Sequence, residues 1–231
     1  MINYRFSQRL ISPILILTLI CVPHTACQSK ATPAEAMPDV PPLEDLMREH
    51  GMLNRLLLID EEIIKRVNDP VFPIKQLKKA VNIVQEFIES YHEKLEEEYI
   101  FPLFERAGKE VKLCATLRTQ HIQGREITSR LKQICNTNPH PNKKTRKTIV
   151  KLLKKFIRMY RPHEAREDTV IFPQVRSLIS EADLKELGET FEDIEHERFG
   201  ADGFEGVLEQ VADIEKELGI YELAQFNPEN Q

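Results

Sequence analysis

Four histidines and two glutamates recur in this chain at one spacing. His50 is followed 42 residues later by His92 and, four residues on, by Glu96; His121 is followed 42 residues later by His163 and then by Glu167. The two sets are offset by 71 residues. At that offset Glu93 also maps onto Glu164, and Ile100, Phe101 and Pro102 map onto Ile171, Phe172 and Pro173. The chain has only seven histidines, so four in register mark a duplicated unit whose polar residues share one task. Imidazoles and carboxylates grouped at helical spacing are metal-binding groups.

Helix geometry brings these residues together. Residues four apart share one helix face, so His92 projects with Glu96 and His163 with Glu167. In an antiparallel hairpin, two residues are level when they lie equally far from the turn. The midpoint of His50 and His92 is position 71, inside the Pro- and Asn-bearing break at 68–73. The midpoint of His121 and His163 is position 142, at the end of the similar break at 136–142. Packing the two hairpins together gathers four imidazoles and two carboxylates in one core.

Apolar residues at helical spacing predict four helices of about 25 residues each, a length that suits a bundle. They run from Leu43 to about Val67, Ile74 to about Phe104, Lys109 to about Cys135 and Lys144 to about Val175. Pro102 and Pro173 should kink or end the second and fourth helices, and Pro162 should bend the fourth. Ser180, with Asp183 three residues on, caps a further helix. Gly200, Gly203 and Gly206 interrupt it, and Val207 to Leu218 resumes it. The expected fold is all-α: an up-down-up-down four-helix bundle over residues 43–176, with a helical extension over 177–231. No segment alternates like a strand or carries a glycine-rich phosphate loop.

Residues 1–26 read as a signal peptide. Arg5 and Arg9 precede an apolar run from Leu10 to Val22, too short to span a bilayer but suited to a signal-peptide core. Ala26 and Cys27 after that run resemble a lipoprotein cleavage site, although His24 stands where Leu or Val is usual; ordinary cleavage after Ala26 is the alternative. Residues 27–42, rich in Ala and Pro, read as a flexible tether. Without the leader the balance is 30 basic against 37 acidic residues, which disfavours a nucleic-acid partner. The basic cluster from Lys143 to Lys147 reads as a solvated helix start. Cys114 and Cys135 fall on one helix about 31 Å apart, at about 1.5 Å per residue. A disulfide needs alpha carbons within about 7 Å, so both are expected as unpaired packing thiols.

Taken as a set, Glu49 and His50, His92 with Glu96 and Glu97 running to Phe101 and Pro102, His121 with Gly124 and Arg125, and His163 with Glu167 and Asp168 running to Phe172 and Pro173 resemble the hemerythrin-like (HHE cation-binding) family over about residues 43–176. The resemblance implies two non-haem iron ions in an oxo- or hydroxo-bridged centre, with His50 and His92 on one iron and His121 and His163 on the other. Glu96 and Glu167 would bridge them. Oxygen-carrying members have a fifth histidine four residues after the position of His121, where this chain has Arg125. They also take their last carboxylate at the position of Asp168; bacterial members use the position of Glu167, which is therefore preferred here.

Such a centre has one open position on each metal, suited to O2, NO or peroxide. The chain reads as a metal- and gas-binding protein rather than an enzyme, for sensing, storage or buffering at the envelope. The alternatives are a di-iron enzyme that reduces peroxide or NO, or an iron donor for repair of iron centres. Glu93 and Glu164 point about 100° away from their neighbouring histidines, which predicts surface charge, with a role behind the ligands as the alternative. Tyr91, Tyr99 and Tyr160 are expected to pack, His140 to be solvated, and His196 to lie outside the site.

The leader makes export the expected outcome, with membrane contact only through a lipid on Cys27. Fractionation of the native host should find the processed chain in the envelope, and Cys27→Ser should release it if the cysteine is lipidated. Full-length protein in the cytoplasm with Met1 retained would refute export.

Overall fold

The computed structural model describes residues 40–230, so the expected leader and residues 27–39 of the tether lie outside it. Helix α1 (Pro42–Lys65) opens on a proline at its first position, where an N–H would have no helical partner. Helix α2 covers residues 74–107, α3 Val111–Thr137, α4 residues 143–175, α5 Glu181–Phe199 and α6 Gly203–Leu218. No strand occurs among the described residues. Gly108, at a left-handed φ of 67°, closes α2, and the Lys109 N–H returns to the Phe104 carbonyl at 3.0 Å. Asn142 caps α4 by accepting from the Thr145 N–H at 3.0 Å.

The helices α1 to α4 form the expected bundle. α3 lies against α2 and α4, and α1 against α4 and α2. Leu53, Leu57, Leu77, Phe87, Leu117, Leu153 and Phe156 fill its interior. Pro102 and Pro173 do not end their helices where they stand. α2 continues to Ala107 and α4 to Val175, each after a wider π-type turn, at Glu96–Ile100 and Glu167–Ile171. A π turn relaxes the helix ladder just where proline offers no N–H and its ring crowds the preceding turn. These two π turns are 71 residues apart, whereas a longer π segment at Val84–His92 has no counterpart in α4, so the duplication of the backbone is partial. α4 also runs through Pro162.

The C-terminal helices share the core of the bundle. Ser180 and Asp183 form the expected capping box at the start of α5. Gly200 and Gly203 take φ values of 73° and 42° and turn the chain into α6. Gly206, expected as a third break, lies inside α6 instead. Phe204, Val207, Val211 and Ile214 recur on one face, and burying that face outweighs the roughly 1 kcal/mol that a helical glycine costs. This face packs on α1 and α2. The Arg55 guanidinium fixes it with two bonds to Glu215, at 2.9 and 2.6 Å.

Cys114 and Cys135 are free and buried, as expected. Burial pushes both thiols up to about 11. A thiol reagent at pH 8 should therefore react with neither in folded protein starting at Asp39, and with both after unfolding. Rapid labelling of the native protein would contradict this packing.

Candidate metal centre

α1 and α2 carry His50 and His92 to one level, and their Nε2 atoms approach to 3.0 Å. α3 and α4 do the same for His121 and His163, at 3.1 Å. The Glu96 carboxylate lies between the pairs: Oε1 is 3.6 Å from His92 Nε2 and 4.0 Å from His50 Nε2, while Oε2 is 3.4 Å from His121 Nε2. Glu167 Oε2 lies 3.1 Å from His163 Nε2 and 3.5 Å from His50 Nε2. All six side chains are buried. The structure thus brings together the whole set expected from the repeat.

Each imidazole is oriented from behind. Glu49 Oε2 accepts from His92 Nδ1 at 2.5 Å, Asp168 Oδ1 from His50 Nδ1 at 2.7 Å, Glu97 Oε1 from His121 Nδ1 at 3.1 Å and Gln120 Oε1 from His163 Nδ1 at 2.9 Å. An acceptor at Nδ1 places the proton there and leaves Nε2 as a bare lone pair. Burial holds three of them neutral, pushing His92 and His121 down to about 4 and His163 to about 3. Between His121 and His163, two lone pairs then face each other across about the length of a hydrogen bond, and His50 and His92 bring their Nε2 atoms equally close.

This arrangement fits a cation and little else. All four carboxylate oxygens of Glu96 and Glu167 are buried without a hydrogen-bond partner. Leaving a buried charge unpaired costs about 3–5 kcal/mol, and facing lone pairs add to that cost. A metal between the pairs satisfies the imidazoles and the carboxylates together. The donors are nitrogen and oxygen, and the two described cysteines lie elsewhere in α3, outside the clusters of candidate ligands. Phe101 stacks on His121 and Phe172 on His50, so the repeated aromatic residue shields one imidazole in each half.

Several expectations are refined. Asp168 stands behind His50 rather than among the central oxygens, where Glu167 lies. Glu93 and Glu164 are buried, not surface charges. Glu93 accepts from the Tyr160 hydroxyl at 2.6 Å and pairs with Arg125 at 2.7 Å, and Glu164 accepts from the Asn54 amide at 2.7 Å. Their helix faces turn toward neighbouring helices, which the 100° offset alone did not reveal. Tyr160 presses against α3 so closely that a Cβ on Gly124 would lie 2.1 Å from its hydroxyl. Tyr91 and Tyr99 pack, and His140 and His196 are exposed and outside the centre.

The repeat also pairs supporting residues, of which the motif reading passed over Gln120 and Asn54. Glu49 and Gln120, Asn54 and Arg125, and Glu97 and Asp168 are each 71 residues apart. Each pair makes equivalent contacts in the two halves. The same offset that found the ligands was the signal for these supporting residues.

Buried groups give the metal-free protein a stability that falls at both ends of the pH scale. Glu49, Glu93 and Glu164 are pushed up to about 8, chiefly by burial. Their contribution is complete below the ordinary carboxylate value and is lost as pH rises through 8. The depressed histidines act oppositely: their contribution is complete above the ordinary imidazole value and is lost as pH falls toward 4. Thermal melts of metal-free protein should therefore show Tm falling from pH 6.5 to 8.5, and again below pH 4.5. A Tm that rises across the alkaline interval would contradict the carboxyl assignments.

The comparisons agree with this geometry. Uncharacterized proteins of Mycobacterium bovis and Mycobacterium tuberculosis are 47% identical to the chain over 198 residues, 85% of this chain and 77% of theirs. The model of the hemerythrin HHE cation-binding domain matches residues 42–175, the span of α1 to α4. With the repeated histidine and glutamate constellation in that span, the chain belongs to the hemerythrin HHE cation-binding family.

Proposed function

We propose that the chain holds two non-haem iron ions, one at each imidazole pair, and binds O2, NO or peroxide there for sensing, storage or buffering at the cell envelope. The observation that carries this reading is the doubled site: two facing Nε2 pairs with two partnerless carboxylates between them. Imidazole and carboxylate donors suit iron, and the bound metal supplies electron transfer and affinity for small ligands. The protein's own contribution is to fix the donors, keep them neutral and exclude bulk water. Phe101 and Phe172 shield the site, and Glu96 and Glu167 supply the shared anionic charge.

Arg125 shapes what can enter. It occupies the position of the fifth histidine of oxygen-carrying relatives, but guanidinium has no lone pair to offer a metal. Its side chain turns to Glu93 and Glu97, each 2.7 Å away. It also lines a cleft of about 880 Å³ between α2 and α5, together with Tyr91, Lys94 and Tyr99. With no fifth imidazole, a metal held by His121 and His163 would keep a coordination position for an exogenous ligand. Such a free position also suits the second reading, an enzyme that turns over peroxide or NO.

Purified protein should contain about two iron ions per chain, and His92→Ala or His163→Ala should lower that content. One tetrahedral zinc per chain, or unchanged iron in both variants, would overturn the proposal. Stopped-flow mixing of the reduced iron-loaded protein with O2 or NO separates the two readings. A spectral change that reverses when the gas is removed supports binding, whereas multiple turnover of peroxide or NO makes the protein an enzyme. Arg125→His should slow oxidation by O2 if the new imidazole reaches the metal.

A further inference from the structure

The two halves of the centre match in position but not in charge. Behind the His50 and His92 pair stand two carboxylates. Asp168 accepts from His50 Nδ1 and Glu49 from His92 Nδ1. No cationic side chain is paired with Asp168 or Glu49 among the ion pairs of the described residues apart from those histidines. Behind the other pair, the duplicated positions have diverged. Gln120 replaces a carboxylate with a neutral amide at His163 Nδ1. Glu97 keeps its carboxylate at His121 Nδ1, but Lys94 lies 2.5 Å and Arg125 2.7 Å from its oxygens. Two carboxyl acceptors without a cationic side-chain partner thus support one imidazole pair; one amide and one charge-compensated carboxylate support the other.

We infer that the two metal positions are unequal, and that the His50 and His92 position binds a divalent cation more tightly than the His121 and His163 position. The inference rests on the dinuclear reading above. An anionic acceptor on Nδ1–H strengthens Nε2 as a donor, and removing such a partner typically costs 10–100-fold in metal affinity. The shared carboxylates lie a few tenths of an ångström nearer the other pair, Glu96 at 3.4 Å from His121 against 3.6 Å from His92 and Glu167 at 3.1 Å from His163 against 3.5 Å from His50, so the inference assigns the order of filling to the acceptors behind the imidazoles. The unequal acceptors are Glu49 against Gln120, and Asp168 against a Glu97 held by two cations. Glu49, Gln120, Glu97 and Asp168 are therefore positioning residues that set the order of filling.

The test is a titration of the metal-free protein with Co2+, followed by its visible absorption and by calorimetry. Two sequential steps are expected, with dissociation constants separated on the order of 10–100-fold. Gln120→Glu, nearly isosteric, should tighten the weaker step by about 10-fold and leave the tighter step in place. Asp168→Asn should loosen the tighter step by a similar factor. A side chain that only maintained packing would not give the gain expected of Gln120→Glu. Two ions entering in one indistinguishable step, or a Gln120→Glu variant that tightens neither step, would overturn the inference while leaving the dinuclear reading intact. Saturation at one ion per chain would instead overturn the dinuclear reading, and this inference with it.

Discussion

The bundle is organised around a buried cluster of nitrogen and oxygen donors that a cation would satisfy together. Two pairs of imidazoles turn their Nε2 atoms toward each other at 3.0 and 3.1 Å, with partnerless carboxyl groups beside them. An apolar core of the same volume would be cheaper to build, since unpaired buried charge opposes folding. The surrounding helices hold these groups in place because each is restrained from behind. The Nδ1 acceptors lock the tautomers, stacked phenylalanines lock the ring planes of His50 and His121, and the buried leucines of all four helices hold the backbones. The binding energy of the metal would thus offset a cost already built into the fold.

The same constraint accounts for the irregular helices. π turns follow His92 and His163, beginning at the central glutamates and ending two residues before a proline in each half. A widened turn shifts the phase of the residues after the glutamate. It lets Glu97 and Asp168 reach back to a histidine on the adjacent hairpin while Glu96 and Glu167 stay central. π turns concentrate at functional sites for this kind of reason. The C-terminal helices contribute from further away: α6 covers α1 and α2, and Glu195 from α5 lies 3.4 Å from the Tyr91 hydroxyl.

Duplication also explains how the site can be symmetric in its ligands and asymmetric in its surroundings. A ligand position tolerates little change because the metal needs the same donor in both halves. A position behind the imidazole must accept a hydrogen bond from Nδ1, which an amide can also do, though without a carboxylate's charge. Glu49 and Gln120 show that latitude directly, as do Asn54 and Arg125, which both donate to a buried glutamate by different chemistry.

Much of this was legible in the sequence. The 71-residue offset, the i to i+4 placement of His92 with Glu96 and His163 with Glu167, and the turn midpoints at 71 and 142 specified the helices and the gathering of the six groups, because helical periodicity and antiparallel pairing are local geometry. Ser180 and Asp183 announced a cap for the same reason. What only the tertiary structure decided was the environment of each polar group. Glu93 and Glu164 read as surface charge until neighbouring helices covered them, and Gly206 read as a break until its helix found an apolar face to bury. Asp168 and Glu167 are adjacent in sequence, yet a π turn and the position of α1 send one behind His50 and the other to the centre. Burial and partnership depend on which helices meet, and residues 118 positions apart, such as His50 and Asp168, acquire that relation only when the chain folds.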